Sequence, residues 1–94
     1  MYQMWSFWRS NRFKHRYKEI TKKNPLLGRA AAEALEQLQQ SQNPLSLGQQ
    51  KTGPLKDYWA YPLDYGCRIL YNTTESTKNI NLHRICSHKE SYGH

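Results

Sequence analysis

The order of two kinds of sequence pattern is the strongest constraint on the fold of this chain. Residues 12–40 carry helical periodicity and helix-forming side chains, whereas residues 57–86 contain short aromatic or β-branched runs. An alternating run over residues 2–8 precedes the helices and is typical of a strand covered on both faces. This order predicts an α+β domain with elements β-α-α-β-β-β, in which a small antiparallel-type sheet packs against a helical hairpin. The first strand must then join the sheet made by the last three.

Local signals predict the limits of the two helices. The first is expected over residues 12–23, with an apolar stripe and lysine or arginine at most other positions. Ser10 or Asn11 can cap it. The second is expected from Leu26 to about Gln40, a stretch rich in Ala, Leu, Glu and Gln, with Asn24 as its cap and a proline at its first position.

Three runs in the second half of the chain predict strands. "DYWAYPLDY" and "CRILYNTT" are separated by Tyr65-Gly66 and indicate a β-hairpin, in which Pro62 must lie at an edge or a bulge. The third strand is expected over residues 80–86. Strict alternation assigns Ile80, Leu82 and Arg84 to one face of it, and Asn81, His83 and Ile85 to the other.

The segment between the helices and the strands, residues 41–54, is composed of loop-forming residues and shows no clear regular element. It carries Lys51. A loop of this length in a small domain is usually functional or mobile.

Charge and cysteine content narrow the class of protein. A chain of 94 residues forms one domain, 1–94, and its formal charge of +7 favours a polyanionic partner, nucleic acid or an acidic protein, over a role in solubility alone. Cys67 and Cys86 stand outside any CxxC pair, so two reduced, partly buried thiols are expected rather than a disulfide or a metal site. The chain shows neither a signal-peptide pattern at its start nor an apolar run of membrane-spanning length, which predicts a soluble cytoplasmic protein without a membrane partner.

The residue types on the β half suit chemistry on RNA without a metal or cofactor. The four histidines are scattered and none pairs at metal-ligand spacing, and no glycine-rich phosphate loop is present. RNA supplies its own nucleophile, the 2′-hydroxyl, so a protein needs only to take up that proton, stabilise the phosphate charge and protonate the leaving oxygen. Histidine, lysine, arginine and tyrosine can fill these roles.

The order of several motifs resembles the RelE/ParE toxin superfamily, closest to its RelE/YafQ-like mRNA interferase branch. Trp59 is followed by Asp64 and by the run "RILY" that begins at Arg68, as in the central hairpin of that family. The end of the chain, "ICSHKESY", is similar to the family's closing motif, and the opening strand, basic helix and "KKNPLL" also match. The resemblance covers nearly the whole chain.

The resemblance implies an active site and its residues. Arg68 would contact the scissile phosphate, His88 would be the general acid or base, and Tyr92 would contact the substrate base or its 2′-hydroxyl. Lys51 falls where the family places a loop residue beside the phosphate, although it is also readily explained as a solvated lysine. Further RNA contacts are expected from Lys56, Arg84 and Lys89, while Trp59 is interpreted as core or groove wall.

The resemblance also implies partners and leaves alternatives. The chain is expected to be the endoribonuclease of a type II toxin–antitoxin system. It would cut mRNA in the A site of the small ribosomal subunit, and a cognate acidic antitoxin would bind it. One alternative is a ParE-like toxin that inhibits gyrase without cleaving RNA. Another is an inactive toxin that acts only as a co-repressor with its antitoxin.

Overall fold

Two helices and five strands follow one another along residues 4–86, the part of the chain that the computed structural model describes. The strands and helices are, in order, β1 (Ser6–Arg9), α1 (Asn11–Lys23), α2 (Pro25–Gln40), β2 (Gln49–Gln50), β3 (Trp59–Pro62), β4 (Arg68–Thr74) and β5 (Asn79–Ile85). Short 3₁₀ turns lie at Pro44–Leu47, Gly53–Leu55 and Asp64–Gly66. The predicted α+β class and the order of its main elements are confirmed.

The five strands form one mixed sheet in the order β1-β5-β4-β3-β2. The three neighbouring pairs from β5 to β2 are antiparallel, but β1 runs parallel to β5, with Phe7 opposite Ile80. The antiparallel expectation therefore holds for the later strands and not for the first. The direction of β1 is not set by a hairpin, because two helices separate it from the rest of the sheet.

Side-chain caps start both helices as predicted. The Ser10 hydroxyl accepts a hydrogen bond from the Phe13 amide at 3.0 Å and donates one to the His83 carbonyl at 2.7 Å. The Asn24 side chain accepts from the Leu27 amide at 3.2 Å. Ser10 thus caps α1 and also connects the first turn of this helix to β5.

The core lies between the two helices and one face of the sheet. The largest fully buried apolar side chains are contributed by α1, α2, β4 and β5, and include Phe13, Leu38, Ile69, Tyr71, Ile80, Leu82 and Ile85. Each fully buried Leu, Ile or Phe stabilises the fold by about 1.5–3 kcal/mol relative to an exposed one. Trp59 packs at the margin of this core, as its core interpretation requires.

The segment 41–54 is more regular than its composition indicated. It contains the 3₁₀ turn at Pro44–Leu47 and strand β2, which pairs with Ala60 and Trp59 of β3. A strand of two residues has no periodicity to detect, and its existence depends on the partner strand. The consequence for the site is that the Lys51 amide donates to the Tyr58 carbonyl at 2.9 Å, which holds Lys51 against the sheet.

Pro62 lies inside the sheet only where no partner needs its missing N–H. The Leu63 amide donates to the Cys67 carbonyl at 2.8 Å, so the next pair along, Pro62 and Arg68, is a non-hydrogen-bonded pair. Its backbone nitrogen therefore faces the β2 side, where β2 pairs only with the two residues at Trp59 and Ala60. β3 is not the edge strand of the sheet, but Pro62 lies where β3 has no partner on that side, which meets the same requirement as the predicted edge or bulge.

Candidate functional site

Alternation along β4 divides its side chains between the core and an open face. Ile69 and Tyr71 are fully buried and point to the helices, whereas Arg68, Leu70 and Asn72 point to the opposite side, which we call the outer face. No helix of residues 4–86 packs as a layer over this face. It is therefore the surface of the sheet on which a large partner can lie.

A β-bulge changes which side chains β5 sends to the outer face. Leu70 is paired with Arg84 but Tyr71 with Leu82, so His83 is an extra residue in β5. Ile85 then faces the core with Leu82, and His83 and Arg84 both lie on the outer face. The predicted assignment of Arg84 and Ile85 was wrong, because strict alternation cannot continue through a bulge.

Lys51 and Arg68 line one depression on the outer face. The depression has a volume of about 190 Å³, and its other lining residues are Gln49, Gln50, Thr52, Ala60 and Pro62. Arg68 is exposed and Lys51 is half-buried. Two cations at one open, shallow site favour an anion that binds from solvent, and a phosphate accepts hydrogen bonds from both kinds of side chain.

Arg84 belongs to a second cleft beside the first. This cleft has a volume of about 260 Å³ and is also lined by Ser10, Arg12, Leu55, Tyr58, Leu70 and His83. Ala60 and Leu70, which face each other on β3 and β4, lie between the two depressions. The outer face thus carries two adjacent sites with cationic side chains.

His83 is held in a defined orientation at the floor of the second cleft. Its Nε2 lies 3.2 Å from Asn72 Oδ1, and that oxygen also accepts a hydrogen bond from Asn81 Nδ2 at 3.0 Å. Since the oxygen has no proton to give, Nε2 is the protonated nitrogen of the neutral ring. Partial burial, together with the nearby Arg84 charge, lowers the pKa of His83 below 6.5. His83 is therefore a neutral imidazole at physiological pH.

The last described residue of the chain lies next to Arg68. The Cys86 amide donates to the Arg68 carbonyl at 2.9 Å, and Arg16 of α1 donates to the Cys86 carbonyl at 3.3 Å. Cys86 has φ 54°, in the left-handed region that disfavours residues with a side chain. The end of β5 is thus held by hydrogen bonds next to Arg68, which lines the depression shared with Lys51.

Cys67 and Cys86 form a disulfide, so the expectation of two reduced thiols was wrong. Their Cα atoms are 4.4 Å apart although the residues are separated by 19 positions in the chain. Both residues lie at the same end of the sheet, where β4 begins and β5 ends. Spacing in the sequence could not indicate this proximity, because it depends on the pairing of the two strands.

The structure places two of the predicted site residues, Lys51 and Arg68, at one depression, and Arg84 in the adjoining cleft of the same face. Lys56 lies on an exposed turn after Leu55, and its carbonyl accepts a hydrogen bond from Gln50 Nε2 at 2.7 Å. The other three predicted residues, His88, Lys89 and Tyr92, lie outside the described residues. Sequence reasoning did not single out Tyr58 and His83, which line the second cleft, or Trp8, whose ring lies beside that of His83.

The described residues show neither a metal cluster nor a membrane-spanning helix. Residues 4–86 contain no group of three or more His, Cys, Asp or Glu side chains placed to hold a metal ion. Neither helix within this range is long and apolar enough to cross a membrane.

Fold and site together define a small α+β domain with an open, basic sheet face. Its structure is similar to that of the RelBE2 toxin–antitoxin complex from Mycobacterium tuberculosis, with a TM-score of 0.72, 16% identity, and coverage of 89% of this chain and 98% of that one. It is also similar to a YoeB/ParE toxin from Agrobacterium tumefaciens, with a TM-score of 0.76, 12% identity, and coverage of 86% and 95%.

A third similar structure is the YoeB–YefM complex from Staphylococcus aureus, with a TM-score of 0.74, 16% identity, and coverage of 92% of this chain and 99% of that one. No family model and no curated protein matches the sequence. At these identities the comparisons establish the fold, and the chain has the fold of RelE-, YoeB- and ParE-type toxins over most of its length.

Proposed function

We propose that this chain is the toxin of a type II toxin–antitoxin system and acts as a metal-independent endoribonuclease on mRNA at the ribosome. The single observation that carries the proposal is the shared depression of Lys51 and Arg68 on the outer face of a sheet with the RelE-type fold. The net charge of +7 supports a polyanionic substrate. A cytoplasmic location follows from a ribosomal target.

In the proposed reaction the 2′-oxygen attacks the adjacent phosphorus and the bond from phosphorus to the 5′-oxygen breaks. The products are a 2′,3′-cyclic phosphate and a 5′-hydroxyl end, so no water is consumed. Arg68 and Lys51 stabilise the charge that develops on the non-bridging phosphate oxygens. The proton of the 2′-hydroxyl is removed, and one is given to the leaving oxygen, by groups that include His88.

Covalent connectivity supports the role of His88. Successive Cα atoms are 3.8 Å apart, so the Cα atom of His88 lies at most about 7.6 Å from that of Cys86. The Cys86 amide in turn bonds to the Arg68 carbonyl. His88 is thus joined by two peptide bonds to a residue that bonds to Arg68, and the proposal assigns further RNA contacts to Tyr92 and Lys89.

The proposed partner in the resting cell is an acidic antitoxin. The similar RelBE2 structure is a toxin–antitoxin complex. A basic outer face provides charge complementarity for an acidic chain as well as for RNA. Such a partner would block cleavage by covering or distorting the site.

The test is cleavage of mRNA on translating ribosomes, mapped by primer extension, with the full chain and with Arg68→Ala and His88→Ala. We expect cleavage within codons and a loss of about 10²–10³-fold for Arg68→Ala. Purified protein that has been treated with a chelator before it is added to the ribosomes should cleave as well as untreated protein. Arg29→Ala is the matched control, because Arg29 is an exposed arginine on α2. Full activity in both site variants would disprove the mechanism.

Two other outcomes identify the alternatives. Arrest of DNA synthesis with intact mRNA would assign the chain to gyrase inhibition. Absence of toxicity, combined with antitoxin-dependent binding to operator DNA, would assign it to co-repression.

A further inference from the structure

An aromatic cluster on the outer face takes no part in the phosphate chemistry described above. The rings of Trp8 and His83 have centroids 5.7 Å apart at 57°, and the rings of Tyr58 and His83 have centroids 5.0 Å apart at 84°. His83 is therefore flanked by two larger rings that come from β1 and from the turn before β3.

Trp8 is unusually open for a side chain of its size. Its exposed fraction is 48%, whereas Trp5, three residues earlier, is 3% exposed. An exposed indole that served only the core would bury more of its surface, since burial is what stabilises the fold. The available ring surface of Trp8 lies on the side of the sheet that faces away from the helices.

Hydrogen bonds hold the central ring of the cluster, His83, in place. Asn72 Oδ1 accepts from both His83 and Asn81, and Asn72 Nδ2 donates to the Asp57 carbonyl at 3.3 Å. The His83 carbonyl accepts from the Ser10 hydroxyl. A preorganised aromatic surface binds a flat ligand at a small cost in conformational entropy.

The cluster lies on the same face of the sheet as the depression of Lys51 and Arg68, farther along β4. Arg68, Leu70 and Asn72 follow one another along the outer side of β4, so Asn72 lies about 13 Å from Arg68 at the rise of a β-strand. The cleft of Arg84, Leu70 and His83 occupies the interval. A strand of RNA that places a phosphate at Arg68 can therefore reach the aromatic cluster with a nucleotide one or more positions away.

We propose that Trp8, with Tyr58 and His83 beside it, forms a subsite that stacks an unpaired nucleobase of the RNA, one or more nucleotides away from the cleaved phosphate. The proposal rests on the proposed ribonuclease function and adds to it a contact between the protein and a base of the RNA substrate. Aromatic rings are the usual platform for unstacked bases in single-stranded RNA, and every base has a face that can stack. Because stacking energy grows with the overlapping ring area, we expect the subsite to favour purines over pyrimidines.

The test is binding of a fluorescent single-stranded RNA, made uncleavable by a 2′-O-methyl group at each position, to the full chain by fluorescence anisotropy. We expect Trp8→Ala to weaken binding about tenfold and Trp8→Phe to retain most of the affinity. Leu26→Ala is the control, because it removes an exposed apolar side chain, 67% exposed, from α2. Equal melting temperatures of the variants exclude unfolding as the cause.

A series of RNAs, each with one abasic position, separates stacking from an indirect effect. At the position that occupies the subsite, loss of the base weakens binding to the wild-type chain, and Trp8→Ala then causes no further loss. Wild-type affinity in Trp8→Ala, or a Trp8→Ala defect that persists with every abasic RNA, would overturn the proposal.

Cleavage assays distinguish this failure from failure of the proposed function. If the wild-type chain cleaves mRNA but Trp8→Ala binds RNA normally, only the subsite is wrong. If base-dependent binding through Trp8 is observed but no cleavage occurs under any condition, the subsite is supported and the nuclease assignment fails.

Discussion

The Tyr71 hydroxyl donates a hydrogen bond of 2.6 Å to the Pro44 carbonyl, and both residues are fully buried. This bond joins the central strand β4 to the segment that leads into β2 and Lys51. Burial, with a smaller contribution from Tyr61, raises the pKa of Tyr71 above its usual range, so the hydroxyl remains a donor. A core residue thereby positions one wall of the candidate active site.

Replacement of Tyr71 by Phe should destabilise the protein by about 1–3 kcal/mol, because the buried Pro44 carbonyl then loses its donor. Denaturant unfolding measures the change in the free energy of unfolding. Tyr17→Phe, at a half-buried ring on α1, is the control and should cost less. An equal effect of the two substitutions would contradict the importance of this bond.

Gly48 lies against the same hydroxyl and cannot carry a side chain without displacement. A Cβ atom at Gly48 would be 2.5 Å from Tyr71 Oη and 3.1 Å from the Ala60 carbonyl oxygen. Gly48→Ala should therefore destabilise the fold, by about 1–3 kcal/mol as expected for overpacking. In a double-mutant cycle, Gly48→Ala should destabilise Tyr71→Phe less than it destabilises the wild-type chain, because Tyr71→Phe removes the nearest atom. Strictly additive effects would show that the added methyl group does not clash with the hydroxyl.

The parts of the structure that sequence predicted are those fixed by neighbouring residues. Both helices begin one residue earlier than predicted and end where predicted, since Ser10 and Asn24 act locally as caps. The run that begins at Cys67 was likewise correctly predicted as a strand, and β4 begins one residue later, at Arg68, because turn and strand signals lie beside it in the chain.

The parts that sequence missed depend on pairing between distant segments. The bulge at His83 is created by the register of β5 on β4, and it alone moves Arg84 to the outer face. The disulfide and the two-residue strand β2 likewise require partners from elsewhere in the chain. The Trp8 and Tyr58 rings meet His83 only after these registers are set, so no motif in the sequence could reveal their cluster.

The disulfide provides a prediction about redox conditions. In the chain-entropy description, a link across this loop stabilises the fold by about 3 kcal/mol. Reduction of the wild-type chain, or the double substitution Cys67→Ser with Cys86→Ser, should lower the free energy of unfolding by about that amount. The double variant should no longer respond to reductant, and an oxidised chain that unfolds like the reduced one would contradict this prediction.

His83 should make stability depend on pH near neutrality. Its folded pKa is lowered from 6.5, chiefly by desolvation and secondarily by Arg84, so the unfolded chain takes up a proton at a higher pH than the folded one. Its contribution is thus complete above about pH 6.5 and is lost as the pH falls toward the folded pKa. From pH 7.5 downward, the free energy of unfolding of His83→Asn should fall less steeply with pH than that of the wild-type chain. His15→Gln, at an exposed histidine on α1, is the control for loss of an imidazole. Parallel pH profiles of the wild-type chain and His83→Asn would contradict the prediction.

Lys51 and Arg68 should act on one phosphate because they line one depression. We expect Lys51→Ala to slow RNA cleavage about tenfold and Arg68→Ala to slow it about 10²–10³-fold. The double variant should be about as slow as Arg68→Ala alone, because the effects of groups that act as a unit are strongly non-additive. Single-turnover cleavage rates measure this coupling. Lys23, an exposed lysine at the end of α1, is the control, and Lys23→Ala combined with Arg68→Ala should show independent effects. No loss of activity in Lys51→Ala would mean that Lys51 is a solvated lysine. A loss that multiplies independently with that of Arg68→Ala would mean that the two side chains do not act on the same phosphate.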